Sequence, residues 1–93
     1  MPTFQLLADV STDDPDRVRP LVAQLFPAGV TETADGFHIE AELAGDSARD
    51  LNRELLSALR REERRTRLRA EWTSGGTAER FFDYVSKGTR PAP

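Results

Sequence analysis

The sequence contains no cysteine. This absence excludes a disulfide framework, thiolate catalysis and a cysteine-ligated zinc site, and it fits a protein of a reducing compartment. Apolar runs are also short: none approaches the ~20 residues that cross a bilayer, and residues 1–10 lack the basic start and apolar stretch of a signal peptide. We therefore expect a cytoplasmic protein that is neither secreted nor inserted in a membrane.

Aromatic and histidine side chains are few, with five Phe, one Trp, one Tyr and one His in 93 residues. Hydrophobic residues make up 38% and charged residues 31%, a balance typical of globular domains and not of disordered chains. A chain of this length can build one modest core. We predict a single domain over residues 1–88 and a frayed tail over residues 89–93.

The net charge of -3 hides an asymmetry between the two halves of the chain. Residues 1–50 hold ten acidic and three basic side chains, whereas residues 51–93 hold six acidic and ten basic ones. Such a division is sometimes the mark of a nucleic-acid surface. Here we expect the two halves to interleave in one sheet and to neutralise each other in part.

The first third of the chain predicts a strand and a helix. Residues 3–10 alternate between apolar and polar side chains, which is the period of a half-buried strand. Pro15, after several capping side chains, suits the first position of a helix. The apolar side chains of this helix recur with helical spacing and form one stripe: Val18, Leu21, Val22, Leu25 and Phe26. Pro20 predicts a bend, and Pro27 ends the helix.

The next segment, residues 30–43, predicts a β-hairpin. Asp35-Gly36 is the typical two-residue loop of a type I′ turn. With that loop, Glu32 lies opposite Ile39 and points to the core side of an edge strand, where an inward charge discourages sheet-to-sheet pairing. In the second strand of this hairpin, the side chains that point to the core are Phe37, Ile39, Ala41 and Leu43.

The second half of the chain predicts a helix, a strand and another helix. Ser47 caps an amphipathic helix that ends near Arg60 and Arg61. From Arg65 to Trp72 the period changes to two, and Gly75-Gly76 ends this strand. A C-terminal helix over residues 77–87 follows from the spacing of Ala78, Phe81, Phe82 and Val85.

The resulting order β-α-β-β-α-β-α predicts a ferredoxin-like βαββαβ fold of the α+β class with an added C-terminal helix. In that fold the antiparallel sheet has the strand order 4-1-3-2 and carries both main helices on one face. Many unrelated functions share this fold, so it selects none of them.

This topology predicts a charged, uncovered sheet face, on which we place the ligand or partner site. Its members are Arg65, Arg67, Arg69, Asp9, His38, Glu40 and Glu42. The simplest interpretation is cross-strand charge pairing on a solvated face. The functional interpretation is a homodimer, formed by basic row against acidic row, by the edge of the fourth strand or by the last helix.

The last helix is a second predicted contact surface. Its side chains Phe81, Phe82, Tyr84 and Val85 are too apolar to lie free in water. Either they pack against their own domain near Trp72, or they swing out on a Gly75-Gly76 hinge and dock on a partner.

Two other functions have weaker support in the sequence. RNA binding through the arginine row lacks an aromatic stacking platform, and the pI near 5.1 argues against nucleic acid as the partner. A metal or acid-base site at His38, Glu40 and Glu42 lacks a second histidine, a nucleophile motif and a phosphate loop.

We therefore predict a non-catalytic binding or interaction module, acting as a homodimer in protein or small-ligand recognition. It needs no cofactor, and its metal candidates are only the three side chains just named.

Overall fold

The computed structural model describes residues 1–92 and contains a six-stranded antiparallel sheet with two helices. The elements are β1 (Thr3–Ser11), α1 (Pro15–Leu25), β2 (Val30–Thr33), β3 (Gly36–Ala44), α2 (Ala48–Glu62), β4 (Arg67–Ser74), β5 (Thr77–Phe82) and β6 (Val85–Pro91). The strands lie in the order β2-β3-β1-β4-β5-β6. Pro93, the last residue of the predicted frayed tail, lies outside the described residues.

The prediction of a ferredoxin-like fold with a C-terminal helix is wrong, because the sheet has six strands instead of four. Strands β4, β1, β3 and β2 do lie side by side in the order expected for them. Residues 77–87, however, form β5 and the start of β6, and residues 89–91 of the predicted tail continue β6. Strand β4 is therefore an inner strand, and its edge is not free for the predicted dimer contact.

Two consecutive glycines, Gly75 and Gly76, explain why the C-terminal segment forms a hairpin. Gly75 and Gly76 have φ angles of 58° and 82°, the left-handed conformation that a type I′ turn requires at both positions. The apolar spacing that suggested a helix instead divides between the two faces of β5. Phe81 lies in the core opposite Ala70, and Phe82 lies on the other face opposite Arg69.

The core lies between one face of the sheet and the two helices. The alternate residues of β1 and β4 point into it, as the period of two predicts. Its largest fully buried apolar side chains are Trp72, Phe37, Leu6, Ile39, Leu56, Leu59, Leu68, Val10, Val18 and Val22. In α2 the cap is the predicted one, since Ser47 Oγ accepts the Asp50 N–H at 3.1 Å. Helix α1 continues through Pro20.

The β2–β3 hairpin has a different register from the predicted one. Its loop is Ala34-Asp35, because Thr33 lies opposite Gly36. Neither loop residue has a positive φ, so the type I′ turn expected at Asp35-Gly36 is absent here. The glycine is needed for a different reason: a Cβ on Gly36 would lie 1.8 Å from the carbonyl oxygen of Val10 in β1.

Glu32 does lie on the helix side of the edge strand β2, and α1 supplies its partner. Arg19 Nε contacts Glu32 Oε1 at 2.5 Å, and Arg19 Nη1 contacts Asp16 Oδ1 at the same distance. This network joins the edge strand to the helix that covers it.

Candidate ligand-binding cleft

The sheet face opposite the helices, which we call the open face, holds a cleft of about 640 Å³. This volume lies within the roughly 300–1,000 Å³ typical of small-molecule sites. The cleft runs from β3 across β1 and β4 to the β5–β6 hairpin. Its lining residues are Leu7, Asp9, His38, Arg69, Ala70, Glu71, Arg80, Phe81, Phe82, Lys87 and Arg90.

One row of side chains crosses four strands of the open face. The pairing register places His38, Asp9, Arg69 and Phe82 opposite one another in that order. His38 Nδ1 lies 2.9 Å from Asp9 Oδ1, and the guanidinium carbon of Arg69 lies 4.6 Å from the centroid of the Phe82 ring. Arg69 covers part of the Phe82 ring through this cation–π contact, and the rest of the ring stays exposed. Phe82 therefore offers an apolar surface beside a cation.

His38 lies between two carboxylates. Its Nδ1 contacts Asp9, and its Nε2 lies 3.4 Å from Glu40 Oε2. The pKa of His38 is raised above its ordinary 6.5, chiefly by the hydrogen bond to Asp9 and against a smaller effect of burial. The ring therefore adds a positive charge to this end of the cleft when the pH falls through that raised value.

The adjacent row contains the apolar floor and a tight ion pair. Leu7, Glu71 and Arg80 lie opposite one another on β1, β4 and β5. Leu7 is 47% exposed, an unusual degree for leucine at the centre of a sheet. Glu71 Oε2 accepts from Arg90 Nη2 at 2.6 Å, so this pair neutralises the carboxylate between Leu7 and Arg80. On the other side of Leu7, Glu40 of β3 continues the row and contacts His38.

The cleft is cationic in a protein of net charge -3. Arg69, Arg80, Lys87 and Arg90 line it, against the carboxylates Asp9 and Glu71. Within residues 1–92, neither Arg80 nor Lys87 has an ion-pair partner. Arg69 has no ion-pair partner among these residues either, but its guanidinium lies over the Phe82 ring, so Arg80 and Lys87 are the two cations most available to an anion from solution.

A buried polar contact holds the β5–β6 hairpin, and with it this side of the cleft, against α2. Asn52, 1% exposed, donates to the Asp83 carbonyl at 2.8 Å and accepts from Trp72 Nε1 at 3.1 Å. Asp83 has a φ of 55°, and its Oδ1 accepts the Leu68 N–H at 2.9 Å. The turn between β5 and β6 is therefore fastened to both α2 and β4.

The structure brings together only part of the predicted site. Asp9, His38 and Arg69 line the cleft, and Glu40 borders it through His38. Arg67 lies in an adjoining recess. Arg65 precedes β4 and lies 3.6 Å from Asp13, so the predicted row of three arginines on the strand is shortened to two.

The metal candidates do not converge. Glu42 accepts from Gln5 Nε2 at 2.5 Å, which turns it to the neighbouring strand, whereas His38 contacts Asp9 and Glu40. Among residues 1–92 no three His, Asp or Glu side chains are arranged to hold a metal ion. The His38–Asp9 geometry suits proton transfer, but the residues lining the cleft include no Ser, Thr, Tyr or Cys as a nucleophile.

The four side chains predicted for a partner helix lie instead on the terminal hairpin. Phe81 is buried in the core of its own chain. Phe82, Tyr84 and Val85 are exposed, although Tyr84 OH lies 3.0 Å from Ser57 Oγ of α2. The predicted hinge at Gly75-Gly76 is a β-turn in this structure.

Three cleft residues, Arg80, Lys87 and Arg90, are absent from the predicted site, because the sequence pattern predicts a helix and a frayed tail where they lie. The signal that identifies them is Gly75-Gly76, a dipeptide that favours a two-residue hairpin. Once β5 is a strand, Arg80 and Phe82 share the open face with Arg69 and Glu71.

No family model matches the chain, and neither the search of curated proteins nor that of solved structures finds a match. In the described part of the chain, neither helix is both long enough and apolar enough to span a bilayer.

Proposed function

We propose that this protein is a non-catalytic binding module that holds a small organic anion in the cleft of the open face. The observation that carries the proposal is the local excess of cations around exposed apolar side chains in an otherwise acidic protein. A ligand with an anionic group and an apolar body matches both properties. The absence of cysteine supports a cytoplasmic setting for this module.

A matched pair of leucine variants tests the proposal. Leu7→Glu adds a carboxylate to the floor of the cleft, whereas Leu25→Glu adds one to a leucine of similar exposure, 42%, on α1. Small aromatic and aliphatic carboxylates and phosphates, added at millimolar concentration, are expected to shift backbone amide signals of β1, β4, β5 and β6 in the wild type and in Leu25→Glu. Leu7→Glu is expected to lose these shifts. Shifts scattered over the surface, or none, contradict the proposal.

Homodimerisation is a second candidate, favoured by the division of charge on the open face. Glu40 and Glu42 lie on its β3 side, and Arg80, Lys87 and Arg90 lie on its β5–β6 side. A two-fold axis would set the acidic side of one copy against the basic side of the other. Light scattering tests this: a dimer that dissociates as salt rises supports it, and a monomer at every salt concentration contradicts it.

RNA binding is the remaining alternative. Phe82 gives the open face one aromatic side chain beside Arg69, which is the pairing that single-stranded nucleic acids stack on. The acidic side chains Glu40 and Glu42 on the same face would repel phosphates. Retention of a single-stranded RNA on a filter at low salt would support this alternative, and no retention would remove it.

A further inference from the structure

We infer that the ligand lies in the cleft with a defined polarity: its anionic group between Arg80 and Lys87, and a flat apolar body that extends across β4 to Leu7. This inference rests on the proposed function and adds the chemical class of the ligand. The anionic group is a carboxylate or a phosphate, since an arginine fork and a lysine ammonium bind both.

The four cations of the cleft differ in what they already contact. Arg90 is held by Glu71 at 2.6 Å, and Glu71 is only 20% exposed. Arg69 lies over the Phe82 ring. Arg80 and Lys87 are exposed and have no ion-pair partner within residues 1–92. An incoming anion therefore gains most at Arg80 and Lys87, where it displaces no existing contact.

A register shift brings these two cations to the same place. Arg80 lies opposite Gly88 and Phe81 lies opposite Ser86, which leaves Lys87 as an extra residue in β6. Such a bulge redirects a side chain that regular pairing would place elsewhere. Arg80 and Lys87 accordingly line both the main cleft and a small adjoining recess of about 170 Å³.

The length of the ligand follows from the sheet. Leu7 and Arg80 both lie opposite Glu71 of β4, one on each side of that strand. Their backbones are therefore two strand spacings apart, about 10 Å. Glu71 lies between them, already neutralised by Arg90. A second negative charge in the middle of the ligand would meet that carboxylate, whereas a neutral two-ring body would cover it and contact Leu7.

Four probes and three variants test this polarity on the full chain by titration calorimetry and amide shifts. The probes are 2-naphthoate, 2-naphthyl phosphate, the neutral 2-naphthamide and inorganic phosphate. We expect the two naphthyl anions to bind about tenfold more tightly than the amide, because the amide lacks the charge and so loses a charge-assisted contact. They should also bind about tenfold more tightly than inorganic phosphate, because inorganic phosphate lacks the apolar body. The stronger naphthyl anion identifies the group as carboxylate or phosphate.

Arg80→Gln and Lys87→Gln are each expected to weaken the naphthyl anions about tenfold, and Arg64→Gln, an exposed arginine outside the cleft, to leave them unchanged. All three sites are exposed, so amide spectra should report intact folds. If cleft amides shift but Arg80→Gln and Lys87→Gln bind like the wild type, the polarity is wrong and the proposed function stands. If no probe shifts the cleft amides, the proposed function itself fails.

Discussion

The contact at Asn52 predicts that the terminal hairpin, and therefore the cleft, depends on one buried amide. Asn52 joins α2 to Trp72 of β4 and to the Asp83 carbonyl at the β5–β6 turn, at 3.1 and 2.8 Å. In the variant Asn52→Leu the side chain keeps a similar volume but loses both the donor and the acceptor. The Trp72 indole N–H is then left buried without a partner.

The expected loss of stability follows from the burial of the two groups that lose their hydrogen bonds to Asn52. A buried donor without a partner costs about 1–3 kcal/mol, and Trp72 is 1% exposed, so its N–H bears the full penalty. The Asp83 carbonyl is only part-buried and adds about 1 kcal/mol, which the extra apolar burial of leucine roughly offsets. We expect Asn52→Leu to lower the free energy of unfolding by about 1–3 kcal/mol, equivalent to a fall in Tm of about 5–20 °C for a domain of this size.

Urea unfolding followed by circular dichroism measures this loss, a readout that also serves variants lacking the single tryptophan, Trp72. The matched control is Glu54→Leu, an exposed position of the same helix, which should stay within about 0.5 kcal/mol of the wild type. A double-mutant cycle with Trp72→Phe isolates the hydrogen bond: Asn52→Leu should cost less when the indole N–H is already absent. An equal cost in both backgrounds, or a stability of Asn52→Leu equal to that of Glu54→Leu, would refute the reasoning.

Three further predictions concern the backbone and the titrating groups. Gly36→Ala should lower the free energy of unfolding by about 3 kcal/mol, seen as a lower urea midpoint, because its Cβ would meet the Val10 carbonyl oxygen at 1.8 Å. The raised pKa of His38 contributes stability that is present below pH 6.5 and lost as the pH rises through the raised value. Asp9→Asn should therefore destabilise the protein by up to about 1 kcal/mol at pH 5.5 and by less at pH 8.5, with the His38 NMR titration moving back toward its ordinary pKa. The pKa of Glu63 is lowered by a backbone N–H hydrogen bond, so its contribution is present above pH 4.5 and lost as the pH falls through the lowered value. Glu63→Gln should make acid unfolding less steep.

Each of these predictions has a control or a contradicting outcome. Gly75→Ala strains a φ of 58° but meets no atom, so it should cost less than Gly36→Ala, about 1 kcal/mol. An Asp9→Asn effect that is constant between pH 5.5 and 8.5 would contradict the linkage to His38. Glu54→Gln is the control for Glu63→Gln and should leave the acid limb unchanged.

The candidate site could be predicted only in part, for a physical reason. His38, Asp9 and Arg69 were assigned to the open face because strand periodicity alone decides which face a side chain occupies. The proximity of Arg80 and Lys87 depends on a bulge in the β5–β6 pairing, and no local pattern in the sequence specifies a bulge there. The apolar spacing of residues 78–85 fits a helix equally well, and the choice falls to long-range pairing with β4 and to the contacts of Asp83.

By itself, the sequence determined the elements whose local pattern is unambiguous: β1, α1, β3, α2 and β4, the strands by their period of two and the helices by their apolar stripe with a cap or proline. It also determined the charge of the strands that face solvent. Only the tertiary structure decided the register of the β2–β3 hairpin, where close approach to Val10 requires Gly36, and the strand conformation of the last segment. Both depend on contacts between residues far apart in the chain, and it is the second that adds Arg80 and Lys87 to the charged face and forms the cleft.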